Sequence, residues 1–453
     1  MKILLIRPRP HNETIGLQHV MICEPLEFEY LVSNVPEEIK NNIEIKIIDL
    51  IVEKKKYKDI LIEEKPDFVL FTGYITHVGI IKDMARTAKE LFPNIKTGTG
   101  GVHAEVVPKD FDSEYIDFIY SKNAIDGFNL TLKMLLEDSP KETIIQKINL
   151  GNKNNTFNYK YPDRNAVSEY RKHYYYMFHS PCALIKTSFG CPYNCSFCFC
   201  KEITDGKYYA RNIEDVIDEL ETIKEEEVYI VDDDFLFDKD KLRKFILLLK
   251  EKNIDKKYLV YGRADFIAEN PDIMAELKAV GLQAVIVGIE SVRSQDLKTY
   301  NKKTTREINE KCIKILRALD IELYATLIIP LDFTVTDFNQ LTIWLKKLNV
   351  RFVNLQPLTP LPGTEIFESY KSKLLVERKD HEVWDMAHVV LKPEFMSIRR
   401  FYFELLKAYY RVIMRPSHLL FLIKKYGLKA NIKMLAGSSL VSMQYIRKIV
   451  RGR

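Results

Sequence analysis

The chain has 453 residues, 46% hydrophobic and 29% charged. This is a globular composition, long enough for two or three domains with substantial cores. It holds no apolar run of about 18 residues, the length a membrane-spanning helix needs. The net charge of +5 is uneven: Phe401–Arg453 carries eleven Lys or Arg and one acid, Glu404, so this tail is +10 and the remainder −5.

The run Met1-Lys2-Ile3-Leu4-Leu5-Ile6-Arg7 is too short for a signal peptide and reads as a first strand. Seven cysteines without an export signal fit a reducing cytoplasm, the expected location. Further buried strands are predicted at Ile43–Asp49, Asp67–Gly73, Ile95–Gly98 and Ile116–Tyr120, and helices at Ile80–Leu91 and Ala124–Leu136. This alternation predicts a doubly wound, Rossmann-like parallel sheet over residues 1–150, with ligands beyond the carboxyl ends of its strands. The loops at that end are Pro8–Gly16, Gly73–Val78 and Gly98–His103, where Gly100-Gly101 lets the backbone approach a ligand. Residues 151–180, with Asn152, Asn154 and Asn155 and, further on, His173-Tyr174-Tyr175-Tyr176, have no periodicity and read as a linker.

Six more strands are predicted at Ala183–Ser188, Val228–Val231, Tyr258–Tyr261, Ala284–Gly288, Tyr324–Ile329 and Phe352–Gln356. Helical patterns separate them; in Asn212–Glu226, Asn212 is placed to cap and Ile213, Val216, Ile217, Leu220 and Ile223 form one stripe. Six βα units over residues 181–375 predict a partial, TIM-like (β/α)6 barrel with its reactive groups at the carboxyl ends of the strands. The first strand leads into Phe189-Gly190-Cys191-Pro192-Tyr193-Asn194-Cys195-Ser196-Phe197-Cys198, with Cys200 two residues on. Thiolates this close suit a soft metal, zinc or iron–sulfur, better than a disulfide framework. A zinc site wants four ligands and usually a second, distant pair, and the sequence has no such pair. Three close thiolates suit a [4Fe–4S] cluster with one iron open to a small ligand. Asp232-Asp233-Asp234 ends the second strand; adjacent carboxylates repel, so at least one is expected to meet a cation or donor. Arg263 ends the third, where it can hold a ligand carboxylate bidentately or pair with Asp265. Gly288-Ile289-Glu290-Ser291 ends the fourth, and Thr359-Pro360-Leu361-Pro362-Gly363-Thr364 comes after the sixth.

CxxxCxxC with Phe197 before the last cysteine resembles the signature of the radical S-adenosylmethionine (SAM) superfamily. The resemblance implies that Cys191, Cys195 and Cys198 hold a [4Fe–4S] cluster whose open iron binds SAM, and that one electron cleaves SAM to methionine and a 5′-deoxyadenosyl radical. It places Phe197, Asp233, Asp234, Arg263, Glu290 and Ser291 around SAM, Asp233 or Asp234 toward its ammonium, Arg263 toward its carboxylate, and Glu290 and Ser291 toward its ribose and methionine parts. Cys200 falls outside the pattern. The first 150 residues, through Gly100-Gly101-Val102-His103 and Glu24-Pro25-Leu26, resemble the cobalamin-binding domain that precedes many radical SAM cores. On that resemblance Gly73, Tyr74, Thr76, His77, Gly100, Gly101 and His103 line a cobalamin site. The DxHxxG motif is missing, and Ser121-Lys122-Asn123-Ala124 stands where Gly-Glu-Gly-Glu is usual. The whole resembles class B cobalamin-dependent radical SAM methyltransferases and implies methyl transfer from methylcobalamin to an unactivated carbon, supported by a flavodoxin- or ferredoxin-type electron donor. A cyclase, rearrangement or carbon–carbon bond-forming reaction is the alternative outcome of the same radical. A non-catalytic iron–sulfur or metal-binding module is the second alternative.

Residues 376–453 are predicted to be a basic helical region, with helices at Arg399–Met414 and Ser417–Ile423. The apolar run Leu419-Leu420-Phe421-Leu422-Ile423 precedes Lys424-Lys425. Such a tail is expected to cap the barrel, to make peripheral contact with an anionic membrane, or both, the second serving a lipid-like substrate. Interleaved Leu and Phe fit lipid better than nucleic acid, which is not expected as a partner.

Overall fold

The computed structural model describes residues 1–121, 124–137 and 159–452. Lys122 and Asn123 of the Ser121–Ala124 stretch, and the asparagines Asn152, Asn154 and Asn155, lie outside the described residues. Chain contacts divide the molecule into two compact units. The first comprises Met1–Thr14, Glu24–His173 and Arg378–Asp385; the second comprises Ile15–Cys23, Tyr174–Glu377 and Met386–Arg453.

The first unit is built on five parallel strands: β1 (Lys2–Arg7), β2 (Glu44–Asp49), β3 (Phe68–Thr72), β4 (Lys96–Gly100) and β5 (Phe118–Ile119), in the order β2-β1-β3-β4-β5. Ile3, Leu4, Leu5 and Ile6 are all buried, the unbroken apolar pattern of a strand covered on both faces. The helix Val78–Leu91 turns Val78, Ile81, Met84, Ala85 and Ala88 inward at helical spacing. The strand order reverses between β1 and β3, which makes their carboxyl ends the switch point where such sheets bind ligands.

The second unit carries six parallel strands paired in sequence order: β6 (Cys182–Ile185), β7 (Glu227–Ile230), β8 (Lys257–Gly262), β9 (Leu282–Glu290), β10 (Glu322–Ile329) and β11 (Phe352–Pro357). β6 and β11 do not pair, so this is an open, partial barrel. The helices Ile213–Thr222, Lys239–Glu251, Pro271–Ala279, Arg306–Ala318 and Val335–Lys347 lie between consecutive strands in the chain. Asn212 caps the first of them, its side chain accepting from the Glu214 amide, and Ile213, Val216, Ile217 and Leu220 are buried as the stripe predicts. The helix Ile398–Ile413 buries Phe401, Tyr402, Leu405, Ala408 and Val412 in the same core. Its Tyr409 hydroxyl accepts from the Leu355 amide at 2.7 Å and donates to the Leu355 carbonyl at 3.0 Å. It thus satisfies backbone groups on the outermost strand that would otherwise template another chain. The last helical segment, Pro416–Arg451, extends far beyond the predicted Ser417–Ile423 and is broken at Gly427, where φ is 74° and ψ is 168°.

The first unit also buries an acid beside a second carboxylate. Glu29, on the helix Leu26–Ser33, has both carboxyl oxygens unpaired among the described residues. Burial, reinforced by the Glu24 carboxylate, pushes its pKa well above the ordinary value. A raised folded pKa contributes stability that is full below the unfolded value, near 4.3, and is lost as pH climbs toward the folded value. Glu29→Gln is therefore expected to melt ~2–4 °C higher than wild type at pH 8, and within a degree or so of it at pH 4. A difference that does not grow with pH would contradict this.

Candidate functional site

The cysteine loop is fixed first by Asp232, at the end of β7. Its buried carboxylate accepts from the Thr187 amide (2.6 Å), the Thr187 hydroxyl (2.5 Å), the Ser188 amide (3.0 Å) and the Ser188 hydroxyl (2.6 Å). Lys241 Nζ lies 3.9 Å from Asp232 and donates to the Thr187 hydroxyl at 2.9 Å. Charge-assisted bonds of this kind are about twice as strong as neutral ones. They tie the chain just after β6 to the neighbouring strand end. Ser188–Phe189 then pairs antiparallel with Tyr209–Ala210, and Gly190 turns the chain at φ 77°. A Cβ at Gly190 would stand 2.0 Å from the Lys207 carbonyl oxygen, so only glycine fits.

The far side of the loop is held by the turn Thr299–Lys302. Ser196 donates its amide to the Tyr300 carbonyl and its hydroxyl to the Thr299 carbonyl, each at 3.1 Å. The Asn301 amide group donates to the Asn194 carbonyl at 2.6 Å, and Phe197 meets Tyr300 edge-on at 5.8 Å. Cys191, Cys195 and Cys198 are free thiols within this frame. Burial pushes the Cys191 thiol up to about 12 and raises Cys195 as well. Cys200 donates toward Cys198, which lowers the Cys198 pKa and raises its own. Soft metal binding at such thiols replaces their protons. Cys200 Sγ also lies 3.5 Å from Asp233.

The three adjacent acids have three different environments. Asp232 is the anchor of the loop. Asp233 accepts from the Gly190 amide at 2.9 Å and stands 3.8 Å from Lys186. Asp234 is buried with neither carboxyl oxygen hydrogen-bonded among the described residues, and burial pushes its carboxyl up to about 8, against the pull of Arg263 and Lys302. An orphaned acid close to Cys191 is the kind of group that a cation or donor would satisfy. Arg263 is already paired: Nε lies 3.0 Å and Nη2 2.7 Å from Asp265, Nη2 also donates to the Lys302 carbonyl, and the guanidinium stacks 3.7 Å over Tyr193. The pair with Asp265, one of the two readings of Arg263, is thus present. Glu290 adopts φ 57° and accepts from Lys302 Nζ at 2.8 Å. Ser291 donates to Asp296 at 2.6 Å. Lys302 is a site residue that the sequence reading does not include; its visible signal is a short polar turn, Asn301-Lys302-Lys303, with positive φ on either side of it.

In the first unit, Gly73, Tyr74, Thr76 and His77 come after β3, and Gly100, Gly101 and His103 end β4 or lie just beyond it. Tyr74 is 61% exposed. His77 is buried; its Nδ1 accepts from the Tyr74 amide at 3.3 Å and faces the Thr76 hydroxyl at 3.2 Å. Burial lowers its pKa to about 4, so the ring is neutral at pH 7. His103 Nε2 meets Asp110 at 2.9 Å, and Arg378 holds the other Asp110 oxygen at 2.9 Å. Both imidazoles therefore fix their own loops. A Cβ at Gly100 would make only ordinary contact, 3.6 Å from Tyr120, whereas Gly101 has φ 96°. The backbone at this sheet end thus presents a small-residue surface.

Residues 185–343 match the profile described as the Radical SAM superfamily, and residues 22–128 match the B12 binding domain. The chain thus carries a radical SAM domain preceded by a B12-binding domain. Hopanoid C-3 methylase of Methylococcus capsulatus is 26% identical over 421 residues, covering 90% of this chain and 79% of that protein. The structure of the radical SAM methyltransferase TsrM from Kitasatospora setae, with cobalamin and a [4Fe–4S] cluster bound, superposes with a TM-score of 0.62 at 15% identity, over 82% of this chain and 78% of TsrM. The cobalamin-dependent SAM radical enzyme OxsB, with aqua-cobalamin and SAM bound, gives 0.66 at 13% identity, over 96% and 72%. At these identities the two structures speak to the fold.

Cys191→Ala, Cys195→Ala and Cys198→Ala are each expected to abolish iron binding after anaerobic reconstitution, while Cys200→Ala retains it. Iron content and the visible spectrum check this. Full iron in any of the first three would overturn the ligand assignment.

Proposed function

We propose that the chain is a cobalamin-dependent methyltransferase that acts on an unactivated carbon of a small, lipid-like molecule. The observation that supports this most is the cysteine loop anchored by Asp232 at a strand's carboxyl end, in a chain that also carries a B12-binding domain. When bound, a [4Fe–4S] cluster with SAM supplies a 5′-deoxyadenosyl radical and cobalamin supplies a methyl carrier. Cys191, Cys195 and Cys198 would hold three irons. Asp234 would accept the SAM ammonium, the partner its buried oxygens lack among the described residues. Asp233 keeps the Gly190 turn in place. Arg263, held by Asp265 and stacked on Tyr193, gives one positive wall for the SAM carboxylate, and Lys302 with Glu290 gives a second. Phe197, Glu290 and Ser291 would line the methionine and ribose portions. Gly73, Tyr74, Thr76, Gly100 and Gly101 would approach the corrin, while His77 and His103 hold those loops.

The electron would come from a flavodoxin- or ferredoxin-type donor. The name of the hopanoid methylase relative and the basic tail both support a lipid-like substrate met at the cytoplasmic face of a membrane, by peripheral contact. No helix among the described residues is long and apolar enough to cross a membrane.

Gly100→Phe places a ring where a Cβ fits without strain, so it is expected to lose hydroxocobalamin on gel filtration and keep its iron. In the wild type, labelled methyl from SAM is expected to enter the product only when cobalamin is present. Deoxyadenosine release with an unmethylated product would favour the cyclase or rearrangement alternative.

A further inference from the structure

We propose that one face of the final helix, from Leu428 to Val450, is the surface that lies on an anionic phospholipid bilayer. This rests on the peripheral contact proposed for the tail and moves it to a different part of that tail. The run Leu419–Ile423 is divided: Leu422 is buried and Phe421 is covered by the Arg351 guanidinium at 3.6 Å, which leaves Leu420 and Ile423 exposed. Gly427 then breaks the helix, and the segment beyond it has a different character.

Leu428, Ile432, Leu435, Met443, Ile446 and Val450 are between 46% and 69% exposed. At 3.6 residues per turn they fall within about 80° of arc along a helix about 35 Å long. The opposite face is the one that packs. Tyr445 belongs to the main core, and Gly437 is so close to the His19 carbonyl oxygen that a Cβ would stand 1.9 Å from it. The outward face therefore faces away from the unit that holds the helix, and its apolar character is not explained by packing within that unit. An exposed apolar stripe of this length, interrupted at Ser439 between Leu435 and Met443, marks an interaction surface.

Charge decides the occupant. The chain has no acid after Glu404, and exposed Lys429, Arg447 and Arg451 lie along one flank of the stripe. Two copies docked through this face would set these cations against each other with no carboxylate between them, which disfavours self-association. Nucleic acid would use the cations and leave the apolar residues in water. An anionic bilayer takes both, the stripe entering the acyl boundary and the cations meeting headgroup phosphates.

The test is co-sedimentation of the full-length chain with phosphatidylcholine vesicles, with and without phosphatidylglycerol, at low and high salt. The wild type should pellet with the phosphatidylglycerol vesicles at low salt and be released by high salt. The double variant Ile432→Asn with Ile446→Asn alters only exposed positions, so it should keep the wild-type circular dichroism and lose binding at least about tenfold. Lys429→Glu should weaken binding to the phosphatidylglycerol vesicles, leaving the part that Arg447 and Arg451 supply. A wild type left in the supernatant, or a double variant that pellets equally well, would overturn the proposal. So would a wild-type dimer in light scattering that the double variant dissociates. SAM cleavage in vesicle-free buffer, read on the same preparations, separates the two readings: its loss from the wild type would contradict the catalytic reading and leave sedimentation to decide the docking face.

Discussion

Four hydrogen bonds to the buried Asp232 carboxylate determine where the cysteines can go. β6 delivers the chain to one edge of the six-stranded sheet, and nothing in a strand obliges the next ten residues to fold back over the sheet end. Asp232 does this by binding the amide and hydroxyl of both Thr187 and Ser188. A buried carboxylate stripped of such donors would be left uncompensated, at a cost of about 3–5 kcal/mol. Keeping the turn is therefore lower in free energy than opening it. Gly190 and the Thr299–Lys302 turn act after this anchor, and each has little to hold without it.

From that anchor the chemistry of the strand ends divides. Successive residues leaving a strand point to different sides, so three identical side chains meet three environments. Asp232 turns into the protein and is saturated with donors. Asp233 meets the loop backbone. Asp234 is buried and without a hydrogen-bond partner among the described residues, an arrangement costly to the fold and useful to a ligand that brings a positive charge. Glu290 adds a left-handed backbone at a non-glycine position, paired with a buried lysine. Backbone strain and unpartnered carboxyl groups of this kind gather at ligand sites.

Much of this is legible in the sequence because the underlying signals are local and periodic. Short strand-like runs mark the eleven strands of the two parallel sheets to within a few residues, while the two short antiparallel pairs, Met21–Ile22 with Tyr175–Tyr176 and Ser188–Phe189 with Tyr209–Ala210, carry no such signal; the stripe beginning at Ile213 marks a helix with its Asn212 cap. The spacing of the cysteines is a local signal as well, and it carries the ligand assignment proposed for them. The features that are not legible depend on distant partners. No local pattern tells Asp232 from Asp234, because the difference lies in Thr187 and Ser188, some 45 residues earlier. Lys302 reaches Glu290 across a turn with no apolar rhythm. The helices Leu26–Ser33 and Tyr57–Glu64 are short and weakly patterned, and they escape a reading by periodicity for that reason. The helix beyond Gly427 escapes it because its outward face is as apolar as its inward one, which hides the amphipathic period.

The central claim is that this loop presents three thiolates to a cluster and leaves one iron open to SAM, beside an acid waiting for a cation. Electron paramagnetic resonance of the anaerobically reconstituted, dithionite-reduced protein, recorded before and after adding SAM, tests it most directly. The account predicts a reduced [4Fe–4S] signal whose g-values shift when SAM binds, with a weaker shift in Asp234→Asn at the same SAM concentration. A reduced-cluster signal indifferent to SAM, or a protein that takes up zinc and forms no cluster, would contradict it.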